Sequence, residues 1–96
     1  MTITKTETNK ARDARIDVQE AAERYCHRHF SATYASRLCD AAIVFSTVPQ
    51  RADSHAARAL ETWLLTAIGM AEAHTQQQRD LLAIWVAYAN WKSAAR

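Results

Sequence analysis

Two cysteines and four histidines are the residues of this 96-residue chain best suited to bind a metal ion. Cys26 and His29 lie three residues apart on a predicted helix, and the other candidates are Cys39, His27, His55 and His74. Structural zinc requires about four nitrogen or sulfur ligands, and neither Cys-x-x-Cys nor His-x-x-x-His occurs. Both cysteines lie among apolar residues, so we expect small buried side chains without a disulfide framework, metal or cofactor.

Nucleophilic catalysis would need a cysteine or serine beside a base, together with an oxyanion hole. Cys26 is near His27 and His29 in sequence, but nothing else in the chain completes such a site. With one glycine in the chain, a glycine-rich phosphate-binding loop is excluded. The sequence therefore predicts a protein that is not an enzyme.

The composition favours a helical protein. One glycine and one proline leave few turns, and 49% of the residues are hydrophobic. The net charge of +2 arises within residues 1–15, because the remaining residues hold equal numbers of basic and acidic side chains. A row of cations, as nucleic-acid binding requires, is missing from the body. No signal peptide or run of roughly 18–20 apolar residues is present, so we expect a soluble cytoplasmic protein without membrane contact.

The predicted fold is all-α, with three or four helices in a small homodimeric bundle. We expect a flexible N-terminal arm over residues 1–14 and one helical domain over 15–96, with helices at about 17–29, 32–46, 54–74 and 76–93. The expected N-terminal caps are Asp17 with Glu20, Ser31, Asp53 or Ser54, and Thr75 with Gln78. The alternative for the last two helices is one helix bent near His74.

The segment "LLAIWVAYANW", from Leu81 to Trp91, is apolar on nearly every side. Such a helix is normally buried on all sides, yet so short a chain is expected to cover only one. We therefore predict that this helix and the preceding one contact another chain through Trp63, Leu64, Ile68, Leu81, Leu82, Trp85, Val86, Tyr88, Ala89 and Trp91. The predicted polar rim consists of Arg58, Glu61, Arg79 and Asp80. The alternative is a last helix at the centre of its own bundle.

In size, helicity and aromatic content, and in the stretch "ALETWLLTAIGM…LLAIWVAYANW", the chain resembles small bacterial antiactivators. These proteins bind a LuxR-type quorum-sensing receptor and prevent its dimerisation. The resemblance implies a regulatory protein that inhibits a transcriptional activator by occluding its dimerisation surface. Two alternatives stay open: a homodimeric structural or accessory subunit of a larger assembly, and a weak nucleic-acid binder that uses the basic N-terminal arm.

Overall fold

The computed structural model describes residues 7–95, and these residues form four α-helices without a β-strand. The helices are α1 (Asn9–Arg28), α2 (Ala35–Thr47), α3 (His55–Met70) and α4 (Gln76–Ala94). The predicted all-helical fold is confirmed, and α3 and α4 are separate helices rather than one bent helix.

Each helix runs antiparallel to the next in the chain, and α4 packs back against α1. Contacts between the start of one helix and the end of another establish this order: Arg15 of α1 bonds the Ser46 carbonyl of α2, and Arg28 of α1 bonds Asp80 of α4. At the centre, the Phe45 ring meets the Trp91 ring edge-on, with 4.6 Å between the ring centroids. The result is a four-helix bundle with an aromatic core.

The first helix begins eight residues earlier than predicted. The Thr8 hydroxyl accepts a hydrogen bond from the Ala11 N–H at 3.1 Å, so Thr8 rather than Asp17 is the N-terminal cap. Ala11 and Ala14 are buried and extend the stripe that continues at Val18. The predicted flexible arm over 1–14 is therefore wrong from residue 9 onward, and residues 1–6 lie outside the described part of the chain.

The second helix also departs from its predicted start. Ser31 is exposed and does not cap it, because α2 begins only at Ala35. Tyr34 precedes the helix in the left-handed conformation, with φ of 67°, which is unfavourable for a bulky residue. Its ring packs beside Trp63 of α3, with the ring centroids 5.5 Å apart, and this contact holds the residue in place.

The caps of the last two helices agree with the prediction. The Ser54 hydroxyl accepts from the Ala57 N–H at 3.1 Å, and the Thr75 hydroxyl accepts from the Gln78 N–H at 3.2 Å. The side chain of Gln78 accepts from the N–H of His74, one residue before the cap. The third helix ends at Met70 instead of residue 74, so a short connection separates α3 from α4.

Candidate protein-contact site

Cys26 and Cys39 form a disulfide between α1 and α2, with their Cα atoms 6.2 Å apart. The expectation of two free, buried cysteines is therefore wrong. The antiparallel turn from α1 to α2 brings the two residues together although 13 positions separate them. Within residues 7–95, no group of three or more His, Cys, Asp or Glu side chains is arranged to hold a metal ion.

His29 and Asp80 form a buried polar cluster that joins the end of α1 to the start of α4. The His29 Nε2 atom lies 2.7 Å from Asp80 Oδ2, and Arg28 and Gln76 donate to Oδ1 at 3.3 and 2.8 Å. Asp80, predicted at an exposed rim, has a side chain only 8% exposed. Because its partners surround both oxygens, Asp80 connects two helices and is not available at a rim.

The ionised form of Asp80 is favoured in the folded protein. Burial acts to raise the pKa of this carboxyl, but hydrogen bonds from Gln76, His29 and Arg28, with the positive charge of Arg28, hold the pKa below its usual value. A carboxylate with a lowered folded-state pKa stabilises the protein above its unfolded-state pKa. That contribution is lost as the pH falls through the lower, folded-state pKa.

We expect Asp80→Ala to lower the free energy of unfolding by about 1–3 kcal/mol at pH 7, because the donors around it lose their acceptor. Urea unfolding from pH 7 to pH 2.5 measures the effect. The difference from wild type should shrink at the acid end, where the wild-type carboxyl also becomes protonated. Asp40→Ala, at an exposed position on α2, is the control and should change little. A pH-independent difference would contradict this role.

Four of the predicted interface residues lie inside the protein's own core. Leu64, Leu81 and Trp91 are fully buried, and Tyr88 is 1% exposed. Their assignment to an interface is wrong, because the other helices of the same chain already cover them. The alternative, in which the last helix packs within its own bundle, is correct for this side of α4.

Glu61, a predicted rim residue, is half-buried and bonded to α4. Its Oε1 atom accepts from Lys92 Nζ at 3.0 Å and from the Tyr88 hydroxyl at 2.9 Å. The hydrogen bond from Lys92 has the largest effect in lowering the pKa of Glu61, and the one from Tyr88 adds to it. Burial, together with the hydrogen bond to Glu61, raises the pKa of Tyr88 above its usual value. Trp63, another predicted interface residue, is half-buried between Tyr34 and the Arg37 guanidinium of α2. Both residues therefore join neighbouring helices.

Four of the remaining predicted residues, together with Leu65, which was not predicted, form an open surface, here called the α3/α4 face. It comprises Leu65, Ile68, Leu82, Trp85 and Ala89. The fifth remaining residue, Val86, is exposed on the side of α4 that borders α1. Leu65 is 51% exposed and Leu82 is 40% exposed, Ala89 is also exposed, and Ile68 and Trp85 are half-buried between the two helices. The bonds from Glu61 to Tyr88 and Lys92 fix the antiparallel alignment, so one turn further along α3 Leu65 lies level with Trp85.

One end of the α3/α4 face is basic, because Arg58 is exposed near the start of α3. Arg79, near the start of α4, lies in the helical row of Ala83, Val86 and Asn90 instead. Its guanidinium donates to the His74 carbonyl and to Gln76 Oε1. Between Arg79 and Lys92, α4 carries a single charge, the buried Asp80, so the exposed middle of this helix is uncharged.

A second apolar surface was not predicted. Ile43, Val44 and Val48 are 65%, 59% and 53% exposed on the outer side of α2, and together they are called the α2 strip. Ile43 also borders a groove of about 210 Å³ between α1 and α2, which the disulfide lines. Ile43 and its neighbour Val44 show that the apolar positions of α2 extend beyond the face that is buried in the bundle.

The basic N-terminal segment is partly neutralised by its own chain. Both oxygens of Glu7 accept from the Arg15 guanidinium, at 2.7 and 2.9 Å. The same guanidinium donates to the Ser46 carbonyl at the end of α2, at 2.7 Å. The side chain of Arg15 is only 13% exposed. It is therefore not available to bind phosphate, while Lys5 lies outside the described residues.

Comparisons with protein-family models, with curated proteins and with solved structures found no match to the chain. Of the helices in residues 7–95, none has the length and apolarity needed to cross a membrane.

Proposed function

We propose that this chain is a non-enzymatic regulatory protein that binds another protein through the α3/α4 face. The observation that supports this proposal is the exposure of Leu65 and Leu82 beside the half-buried ring of Trp85. Aromatic side chains surrounded by apolar contacts supply much of the binding energy at protein interfaces. The α2 strip is more exposed but contains no aromatic residue.

The shape of this face suits an apolar helix. Two antiparallel helices that expose apolar side chains along their contact offer an elongated apolar surface, and such surfaces commonly bind amphipathic helices. Arg58, exposed at one end of the face, favours a partner helix with an acidic residue near the matching end. The partner's own apolar surface would be covered in the complex.

The proposed partner is a transcriptional activator whose dimerisation surface is a helix. Covering that surface would keep the activator monomeric and prevent it from binding DNA, as the resemblance to antiactivators implies. In this proposal the chain is itself a homodimer that uses a different face for self-association. An accessory subunit of a larger assembly is the competing function, and it requires self-association without a separate protein partner.

A cytoplasmic location is also part of the proposal, and it has a chemical consequence. The cytosol keeps most thiols reduced. Cys26 and Cys39 would then be mainly thiols in the cell, and the contact between α1 and α2 would rest on Val18, Leu38 and Phe45, which are fully buried. Trapping free thiols in intact cells with an alkylating reagent, followed by mass spectrometry, measures this directly.

We expect Leu65→Glu to reduce partner binding by at least about tenfold, because it places a charge in the middle of an apolar contact. The measurement is affinity purification from the native host with quantitative mass spectrometry. Val44→Glu makes the same kind of change on the α2 strip, which lies at another corner of the bundle, and should leave binding unchanged. Circular dichroism checks that both variants remain folded.

The captured protein then identifies the function. An activator whose DNA binding is inhibited stoichiometrically by wild type, and not by Leu65→Glu, supports the proposal. Loss of binding with Val44→Glu alone would move the site to the α2 strip and contradict it. Recovery of the chain by itself at every concentration would favour the accessory subunit.

A further inference from the structure

The surface formed by α1 and α4 differs from the α3/α4 face because its two helices carry different side chains. On α4 it presents the exposed, uncharged residues Ala83, Val86 and Asn90. On α1 it presents the exposed charged residues Asp13, Asp17, Glu20 and Arg24. A shallow groove between the helices is lined by residues of both sets. These seven residues together are called the α1/α4 face.

The charges along α1 are sorted by sign. Asp13, Asp17 and Glu20 occupy the first half of the row, and Arg24 follows one turn after Glu20. Spacings of three and four residues place all of them along one side of the helix. Within residues 7–95, none of Asp17, Glu20 and Arg24 forms a salt bridge. The row is therefore acidic at one end, basic at the other and free to pair with another molecule.

The alignment of α1 with α4 gives this face a natural centre. The groove is lined by Asp17, Glu20, Ala21 and Arg24 on one side, and by Ala83, Val86, Ala87 and Asn90 on the other. Its middle therefore lies between Glu20 and Ala21 on α1, and between Val86 and Ala87 on α4. The Arg28 and His29 contacts with Asp80 give the same relative alignment of the two antiparallel helices.

A two-fold axis that passes through this centre makes the face complementary to itself. The axis lies in the plane of the face and is perpendicular to the helices. Asp17 and Arg24 are equally distant from the midpoint between Glu20 and Ala21, so Asp17 of one copy lies opposite Arg24 of the other. The same operation places Ala83 opposite Asn90 of the second copy. In a parallel arrangement the charged row would instead face the uncharged side of α4, and charges would lose water without gaining a partner.

We propose that a second copy of the chain docks on the α1/α4 face about this axis, with its helices antiparallel to those of the first. Two reciprocal ion pairs between Asp17 and Arg24 flank an uncharged contact made by Ala83, Val86 and Asn90. Two-fold interfaces use the same surface on both copies, as this geometry requires. This inference rests on the homodimer of the proposed function and assigns the face that it uses, which involves neither Leu65 nor Trp85.

Charge reversal tests the pairing. Asp17→Arg and Arg24→Asp should each weaken dimerisation at least about tenfold, because like charges then face one another. The double variant Asp17→Arg/Arg24→Asp restores opposite charges and should recover most of the affinity. Sedimentation equilibrium measures the dissociation constants, and Asp40→Arg on α2 is the control. A monomeric wild type at millimolar concentration, or a double variant no better than the single variants, overturns the proposal.

Two further variants test the position of the axis. Glu20 lies nearest to it and approaches its own counterpart, so Glu20→Gln should strengthen dimerisation, and weaker dimerisation would contradict the axis. Val86→Cys should be cross-linked between copies by a short bismaleimide, which does not react with the Cys26–Cys39 disulfide. Ser93→Cys lies nearly two turns away along α4 and should not be cross-linked. Cross-linking of both variants would indicate a parallel dimer and contradict this axis.

Failure of this proposal and failure of partner binding are distinguishable. Leu65→Glu should leave the dimer dissociation constant unchanged, since Leu65 is on α3. The charge-reversal variants should still retain the partner in affinity purification. A charge reversal that abolished both properties while the protein remained folded would contradict the separation of the two faces.

Discussion

Replacement of Trp91 by alanine should lower the free energy of unfolding by about 3–5 kcal/mol, the range observed for loss of a large buried aromatic side chain. Trp91 is fully buried, and its ring contacts Phe45 and Tyr88 at centroid distances of 4.6 and 5.7 Å. The loss is a large part of the roughly 5–15 kcal/mol that stabilises a typical domain. Urea unfolding followed by circular dichroism measures it.

Two variants make this experiment specific. Trp91→Phe should retain much of the stability, because it keeps an aromatic ring and removes an indole N–H that is buried without a hydrogen-bond acceptor. Trp85→Ala should cost less than Trp91→Ala, since Trp85 is only half-buried. If Trp91→Ala left stability unchanged and altered only the oligomeric state, Trp91 would be an interface residue and the buried position described above would be wrong.

Removal of the disulfide should lower the free energy of unfolding by about 3 kcal/mol. The bridge closes a loop across a sequence separation of 13, and the chain-entropy relation for a loop of this length gives that magnitude. Cys26→Ala/Cys39→Ala, or wild type in a thiol reductant, should show the loss in urea unfolding. Both conditions should leave the helical content of the folded state nearly unchanged.

The control is the double alanine variant in the same reductant, which should not respond. Mass spectrometry after alkylation shows how many thiols the native wild type has. Two alkylated cysteines in oxidised, folded protein, or equal stability with and without reductant, would contradict a stabilising bridge between α1 and α2.

Local sequence signals were sufficient for much of the fold. Scarcity of glycine and proline, with apolar residues at helical spacing, predicted an all-helical chain. The caps Ser54 and Thr75 were also correct, because a hydroxyl directly before a helical stripe satisfies backbone N–H groups whatever the tertiary context. These features depend on neighbours within four residues, and sequence reasoning handles such neighbours well.

The errors in the fold arose where a distant contact decided the local structure. The start of α1 was missed because Ala11 and Ala14 contribute little apolar signal among charged residues, although both are buried in the bundle. The start of α2 depends on Tyr34, whose left-handed backbone is held by packing against Trp63. The disulfide joins two different helices, and the sequence of neither helix predicts how the two align.

The contact site was predicted only in part, again because contacts between distant residues decide which side chains are buried. The sequence suggested that so short a chain could not cover Tyr88 and Trp91, yet both are buried. Small side chains explain how: alanine at the helix contacts lets the backbones approach closely enough to enclose large rings. The buried alanines include Ala21 and Ala22 of α1, Ala42 of α2, and Ala57 and Ala67 of α3. The outer side of α4, with Leu82 and Val86, is exposed. A helix that contacts another chain, as predicted, requires such an exposed side.

The disulfide also sets how far the chain can lengthen under tension. When force is applied at the two ends, the residues between Cys26 and Cys39 form a closed ring that is shielded from the load. An extended chain gains up to about 3.6 Å per residue, and the bridge itself spans 6.2 Å between Cα atoms. A fully stretched molecule with the bridge intact is therefore about 40 Å shorter than a reduced one. The contour length of a single molecule thus records whether its two sulfur atoms are joined.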